Sequence, residues 1–246
     1  MNEVNEKKRT LTEHITRTKE NIITAIVIGI LRPFNRHTMV DLDHERTEPD
    51  NPMVFLGNHA EIYGPIASAL CFPVPVRFWV INRMMFRKQD VRNYLYENTF
   101  SKKTFLPVFI RKLLARILGW LSVNVMNSLR AIAVYRDSPM KLRQTLRESV
   151  EALSAGENLM IFPEHPEGKY VKGGISELSP GFLMLAEAWW KKSGKQLRIM
   201  PVYANRDKRT FTFGSEIVYQ PENGYASEQE RIMKEVYEQL MMLSAR

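Results

Sequence analysis

Four short segments, each at the end of an apolar run, hold residue types suited to chemistry on a hydroxyl. They are GNHAEIYGP (57–65), AVYRDSP (133–139), IFPEHPEGKY (161–170) and IMPV (199–202). A neutral imidazole at His59 can take the proton of a hydroxyl within hydrogen-bond reach. A carboxylate on its far ring nitrogen would fix the tautomer and stabilise the imidazolium as it forms. The planar fork of Arg136 suits a phosphate or carboxylate, the alternative being a surface ion pair with Asp137. Glu164 can accept from a substrate hydroxyl, or serve instead as a helix-capping carboxylate. His165 is not read as a metal ligand, because no His-x-x-x-His, cysteine pair or carboxylate–histidine cluster accompanies it.

The elements that must position these residues alternate. Strands are expected at Met53–Gly57, Val76–Ile81, Ala131–Tyr135, Leu159–Phe162 and Leu197–Val202, with one or two more between Phe211 and Tyr219. Helices are expected over 65–72, 108–126, 182–190 and from Ser138 onward. Ser138 is a good N-cap, Pro139 suits the first helical position, and Leu142, Leu146, Val150 and Leu153 share one face before Gly156. Ser227-x-x-Glu230 reads as a capping box opening a C-terminal helix whose apolar face runs from Ile232 to Leu243. Short buried strands alternating with helices predict an α/β fold: one domain over 46–246 with a mostly parallel central sheet flanked by helices, and a helical arm over 1–45. In such a sheet, ligands bind beyond the carboxyl ends of the strands, so the four segments can converge on one cleft.

Together the segments resemble the glycerophosphate and lysophosphatidate acyltransferases. Asn58-His59 is similar to the Asn-His of that family's first motif. Arg136 matches the Arg that follows a strand in the second, Phe162-Pro163-Glu164 the start of the third (Phe-Pro-Glu-Gly-Thr-Arg), and Pro201-Val202 the fourth. SPGFLMLAEA (179–188) is similar to the family's helix after the third motif, and the stretch over 118–136 to its lead into the second. The resemblance covers roughly residues 50–205. It implies an acyltransferase-like α/β fold and transfer of an acyl group from acyl-CoA or acyl carrier protein to a hydroxyl of a lysophospholipid, glycerophosphate or related lipid. It implies His59 as base and Asn58, Arg136, Glu164, Gly168 and Lys169 as substrate contacts. No metal or bound cofactor is implied.

Two departures stand out. The family places an Asp five residues after its His, where this chain has Gly64, and none of the other four histidines has an acid at that spacing. Glu61 is the nearest substitute if the chain turns there, since i and i+2 do not face each other on a regular helix. Glu164, Glu167 or Glu177 could supply the carboxylate from elsewhere. The alternative is that His59 is the remnant of an acyltransferase ancestor. In the third motif, HPEGK (165–169) replaces Gly-Thr-Arg, so that Lys169 or Lys172 takes the place of the family's Arg.

Composition sets the outer bounds. With 246 residues and 44% apolar content the chain can build a real core. Its single cysteine, Cys71, excludes a disulfide framework and fits a reducing compartment. The net charge of +8 suits an anionic partner. The apolar run Ile22–Leu31 is 10 residues long, too short to span a bilayer, which takes about 20. Over 108–122, Arg111, Lys112, Ala115, Arg116, Gly119 and Ser122 share an arc of about 140°, with apolar residues on the rest. That pattern suits a helix on an anionic membrane surface, or a core helix with one wet side. The expectation is a cytoplasmic enzyme held peripherally on the inner face of a membrane. One rival is a catalytically degenerate protein that binds lipid or a partner. Nucleic-acid binding is set aside, because aromatic residues are not interleaved with basic clusters.

Overall fold

The computed structural model describes residues 22–41, 52–60, 62–85, 87–101, 105–135, 138–164 and 175–246. The expected N-terminal arm is therefore described only from Ile22. By its internal contacts the chain divides into two compact units; of the described residues, those within 22–29 and 78–145 form one and those within 30–77 and 146–246 the other.

The second unit carries most of the sheet. Strands β1 (Thr38–Val40), β2 (Met53–Gly57), β5 (Asn158–Ile161), β6 (Arg198–Asn205), β7 (Thr210–Phe213) and β8 (Ile217–Val218) belong to it. β2 lies between β5 and β6, parallel to both, with Phe55 opposite Met160 and Met200. β7 runs antiparallel to β6 and parallel to β1, and β8 pairs antiparallel with the start of β6. All five residues of β2 are buried, as a strand covered on both faces requires, which is why it reads as an unbroken apolar run. Helices α2 (Tyr63–Cys71), α6 (Leu183–Ser193) and α7 (Tyr225–Ala245) complete this unit. Phe55, Phe72, Phe211 and Phe213 form an edge-to-face cluster in its core, with Phe55 and Phe72 centroids 5.0 Å apart.

In the first unit, β3 (Val76–Ile81) from Phe78 onward pairs in parallel with β4 (Ile132–Val134), Trp79 opposite Ile132. Two helices, α3 (Lys88–Leu95) and α4 (Val108–Ser128), pack on each other there. The remaining helices are α1 (Ile22–Leu31) and α5 (Pro139–Ser154). The expected cap of α5 is present, with the Lys141 N–H donating to Ser138 Oγ at 3.4 Å.

The architecture is the expected mixed α/β fold with a mostly parallel sheet flanked by helices. Local details differ. β6 continues three residues past Val202, so Pro201-Val202 lies inside the strand rather than at its end. Pro201 is tolerated because it falls between the stretches of β6 that pair with β8 and with β7, where no ladder N–H is needed. The capping box does not form: α7 starts at Tyr225, two residues before Ser227. Glu228 serves that end instead. It accepts from the Gln220 N–H, Asn223 Nδ2 and Arg231.

Candidate active site

Three adjacent parallel strands bring the candidate residues together at their carboxyl ends. β2 runs into Asn58 and His59, β5 into Phe162-Pro163-Glu164, and β6 passes Ala204 beside them.

Asn58 is 1% exposed. Its Oδ1 accepts from the Ala204 N–H at 2.7 Å, and its Nδ2 donates to the Ala204 carbonyl at 3.2 Å. The side-chain amide thus continues the β2–β6 ladder one step beyond Gly57. A backbone-like pair in a buried site holds the chain at the point where it must turn. The amide expected to meet substrate is engaged with strand backbone.

His59 follows half-buried. Its backbone N–H donates to Glu164 Oε1 at 2.5 Å. The other oxygen of that carboxylate, Oε2, accepts from Ser176 Oγ at 2.7 Å and from the Ser176 N–H at 3.3 Å. Glu164 therefore ties the His59 turn to the segment after residue 175, and charge-assisted bonds of this kind are the stronger ones. A bridge between Glu164 and Leu178 and a bond from the Ser179 N–H to the Pro163 carbonyl fix the same segment. The imidazole meets the Phe162 ring edge-on, with centroids 5.9 Å apart at 78°. Gly57 makes room for that ring: a Cβ there would lie 2.7 Å from Phe162 Cε1.

After His59 the chain turns tightly. Ala60 takes a left-handed φ of 42°. The Tyr63 N–H bonds the Ala60 carbonyl and the Gly64 N–H bonds the His59 carbonyl. This turn accounts for Gly64. A Cβ at residue 64 would sit 1.9 Å from the Asn58 carbonyl oxygen, inside any permitted contact. Residue 64, five positions after His59, is sterically closed to a side chain, because the Asn58 carbonyl oxygen occupies the space. Any carboxylate that charges His59 must come from another residue.

Of the expected site residues, the fold brings Asn58, His59 and Glu164 together. Glu61, Arg136, Gly168 and Lys169 lie outside the described residues, as does Glu167. Among the described residues no group of three or more His, Cys, Asp or Glu side chains could hold a metal ion. Sequence reasoning missed Ser176, whose hydroxyl and N–H complete the Glu164 bridge, and the pair formed by His37 and Tyr63. The Ser176 signal was only a hydroxyl in a Gly-rich run. Nothing in the local sequence marks Ala204, whose part is played by backbone.

The His37–Tyr63 pair lies on the same α2 start. His37 Nδ1 faces the Asn35 carbonyl and Nε2 faces the Tyr63 hydroxyl, each at 2.5 Å. A carbonyl only accepts, so Nδ1 carries a proton; in the neutral ring Nε2 accepts from the phenol, whose hydroxyl also lies 3.4 Å from the Asn205 carbonyl. Burial lowers the His37 pKa, the Asn35 bond opposes this, and the Arg209 charge adds to the lowering. Burial raises the Tyr63 pKa against the pull of Arg209 and Arg206. Both shifts favour a neutral imidazole and a protonated phenol.

No protein-family model matches the chain, and no curated protein is similar to it. Among solved structures, the chain is similar to the 1-acyl-sn-glycerophosphate (LPA) acyltransferase PlsC from Thermotoga maritima. The likeness has 15% identity and a TM-score of 0.48, covering 91% of this chain and 82% of that one.

Proposed function

We propose that the protein is an O-acyltransferase that moves a fatty acyl group from a thioester donor to the hydroxyl of a lipid or glycerophosphate acceptor. The observation that carries this reading is the locked histidine turn at the carboxyl ends of β2, β5 and β6. His59 is presented half-exposed, with its backbone fixed by the Glu164 carboxylate and the preceding Asn58 pinned to β6. The order of the four motifs in the sequence supports the same class. In the reaction, the acceptor hydroxyl attacks the thioester carbonyl while His59 takes its proton. The tetrahedral intermediate then collapses, the C–S bond breaks, and the sulfur leaves as a thiol with a proton returned from the imidazolium. Acyl-CoA or acyl carrier protein is the donor. Arg136, Gly168 and Lys169 are the proposed contacts to the anionic group of the acceptor, and Glu61 is the first candidate to charge His59. Glu164 positions His59 through its backbone.

One observation favours a second reading, a lipid- or partner-binding protein without turnover: the closed space at Gly64 leaves no room for the family's carboxylate. The two separate in one experiment. The purified protein is offered pooled acyl thioesters with glycerophosphate and mixed lysolipids in vesicles, and products are read by mass. Ester product establishes the transferase. Folded protein that binds acceptor and yields no ester supports the binding protein.

A further inference from the structure

The long helix α4 carries an exposed apolar stripe beside a buried row of small residues. Its small residues face inward: Ala115 is fully buried, and a Cβ at Gly119 would come within 3.1 Å of the Arg92 backbone of α3. One row of its large apolar residues faces outward, while Val123 is buried and Ile110, Leu114 and Leu121 are half-buried. Phe109 is 70% exposed, Leu113 53%, Ile117 51% and Trp120 41%. These four fall within about 80° of one another on the helix wheel and span more than three turns. A core helix with one wet side keeps polar residues on that side, whereas this outward row is apolar.

Basic residues border this stripe. Lys112 and Arg116 are exposed on the next row of α4. With Arg92, Asn93, Tyr96 and Glu97 from α3 and its continuing turn, they line a cavity of about 410 Å3 beside Leu113. Three cations and one carboxylate leave the cavity positive. Among the described residues none of Arg92, Lys112 and Arg116 is in an ion pair. A second protein chain would need only the apolar stripe, and free phosphate only the cations. A surface offering both side by side matches an amphiphile that is anionic at its head.

We propose that α3 and α4 form a docking surface for anionic phospholipid. A headgroup phosphate sits in the cavity between Arg92, Lys112 and Arg116, and Phe109, Leu113, Ile117 and Trp120 enter the acyl region of the leaflet, with the helix lying along the membrane plane. This surface does not depend on the acyl-transfer reading, and its test involves no turnover.

The test is flotation of the full chain with vesicles of phosphatidylcholine alone and with vesicles containing phosphatidylglycerol. Three proteins are compared: wild type, Phe109→Ser/Leu113→Ser, and Lys112→Ser/Arg116→Ser. Circular dichroism and thermal melting establish that each is folded, and the changed side chains are exposed. Wild type is expected to bind the anionic vesicles and to bind the neutral ones far less. The apolar variant is expected to lose at least about tenfold in partitioning. The basic variant is expected to lose about fivefold per charge removed on anionic vesicles, with little change on neutral ones. Wild-type binding that both variants retain would overturn the proposal. So would absence of binding to anionic vesicles, binding that free phosphate competes away without help from the stripe, or a concentration-dependent dimer that the Phe109/Leu113 change dissolves.

Discussion

Placing an acid at residue 64, five positions after His59, is the perturbation whose outcome the structure most sharply reverses. Motif reasoning says that Gly64→Asp should supply the missing partner of His59 and raise turnover. The geometry says that even the first atom of a side chain has no place. An ideal Cβ lies 1.9 Å from the Asn58 carbonyl oxygen and 3.1 Å from its carbon. The obstacle is backbone, fixed by the Asn58–Ala204 pair on one side and the His59–Glu164 bond on the other. The α2 start must therefore shift, breaking the Gly64–His59 bond. Overpacking costs of about 1–3 kcal/mol, together with a lost buried bond of about 1 kcal/mol, put Gly64→Ala near 3 kcal/mol. Gly64→Asp is worse, because it adds a carboxylate beside a carbonyl oxygen. For a chain of this length, thermal midpoints should fall by about 6–12 °C. The assay pairs thermal melting with acyl-transfer turnover for Gly64, Gly64→Ala and Gly64→Asp. Both variants are expected to be less stable and less active than wild type. A Gly64→Asp protein that melts like wild type and turns over faster would refute the steric account.

Further perturbations read other parts of the same framework. Glu164→Gln replaces an acceptor-only group with one that must point an N–H₂ at either the His59 N–H or Ser176; a loss of about 1–3 kcal/mol is expected, with kcat reduced more than acceptor KM, since the residue acts through His59. Tyr63→Phe leaves His37 Nε2 without its phenol and should cost about 1–2 kcal/mol in a urea melt. Because the folded pKa of His37 lies below its ordinary value of 6.5, its contribution to stability is complete above that value and is lost as pH falls through the folded pKa; in His37→Gln that segment of the stability–pH curve should flatten. Burial pushes the Glu228 pKa up, but the bonds from Arg231, Asn223 and Gln220 outweigh it and hold the group at about 2, against an ordinary 4.5. The resulting stabilisation, about 3 kcal/mol, is present above the ordinary value and disappears as pH falls toward 2; Glu228→Gln should remove that acid-range slope.

The sequence was legible where physical signals are local. β2 runs over the expected residues because a buried parallel strand is apolar at every position, and the cap at Ser138 is formed. The apolar and basic arcs of residues 108–122 were visible too, but which arc faced inward was not, because packing small residues against α3 is a tertiary choice. The same limit hid β1, three residues whose strand character comes from pairing with β7. It also hid α3, a mostly polar helix held by its packing on α4. Ser227-x-x-Glu230 carried a valid start signal, yet the helix begins two residues earlier, where Glu228 gathers donors from Gln220, Asn223 and Arg231. At the site, His59 and Glu164 were marked by residue type and spacing. Their link was not, since Glu164 reaches a backbone N–H 105 positions away. Gly64 was visible as a missing carboxylate, and only the fold shows it as an occupied space.

The measurement that tests the account most directly is acyl transfer by His59→Ala beside wild type, under the thioester and acceptor conditions that give ester product, with folding checked by circular dichroism. Loss of a positioned general base predicts a fall of about 10²–10⁴-fold in kcat, while the backbone N–H that meets Glu164 remains in the variant. Equal product from both proteins would contradict the assignment of His59 as the base.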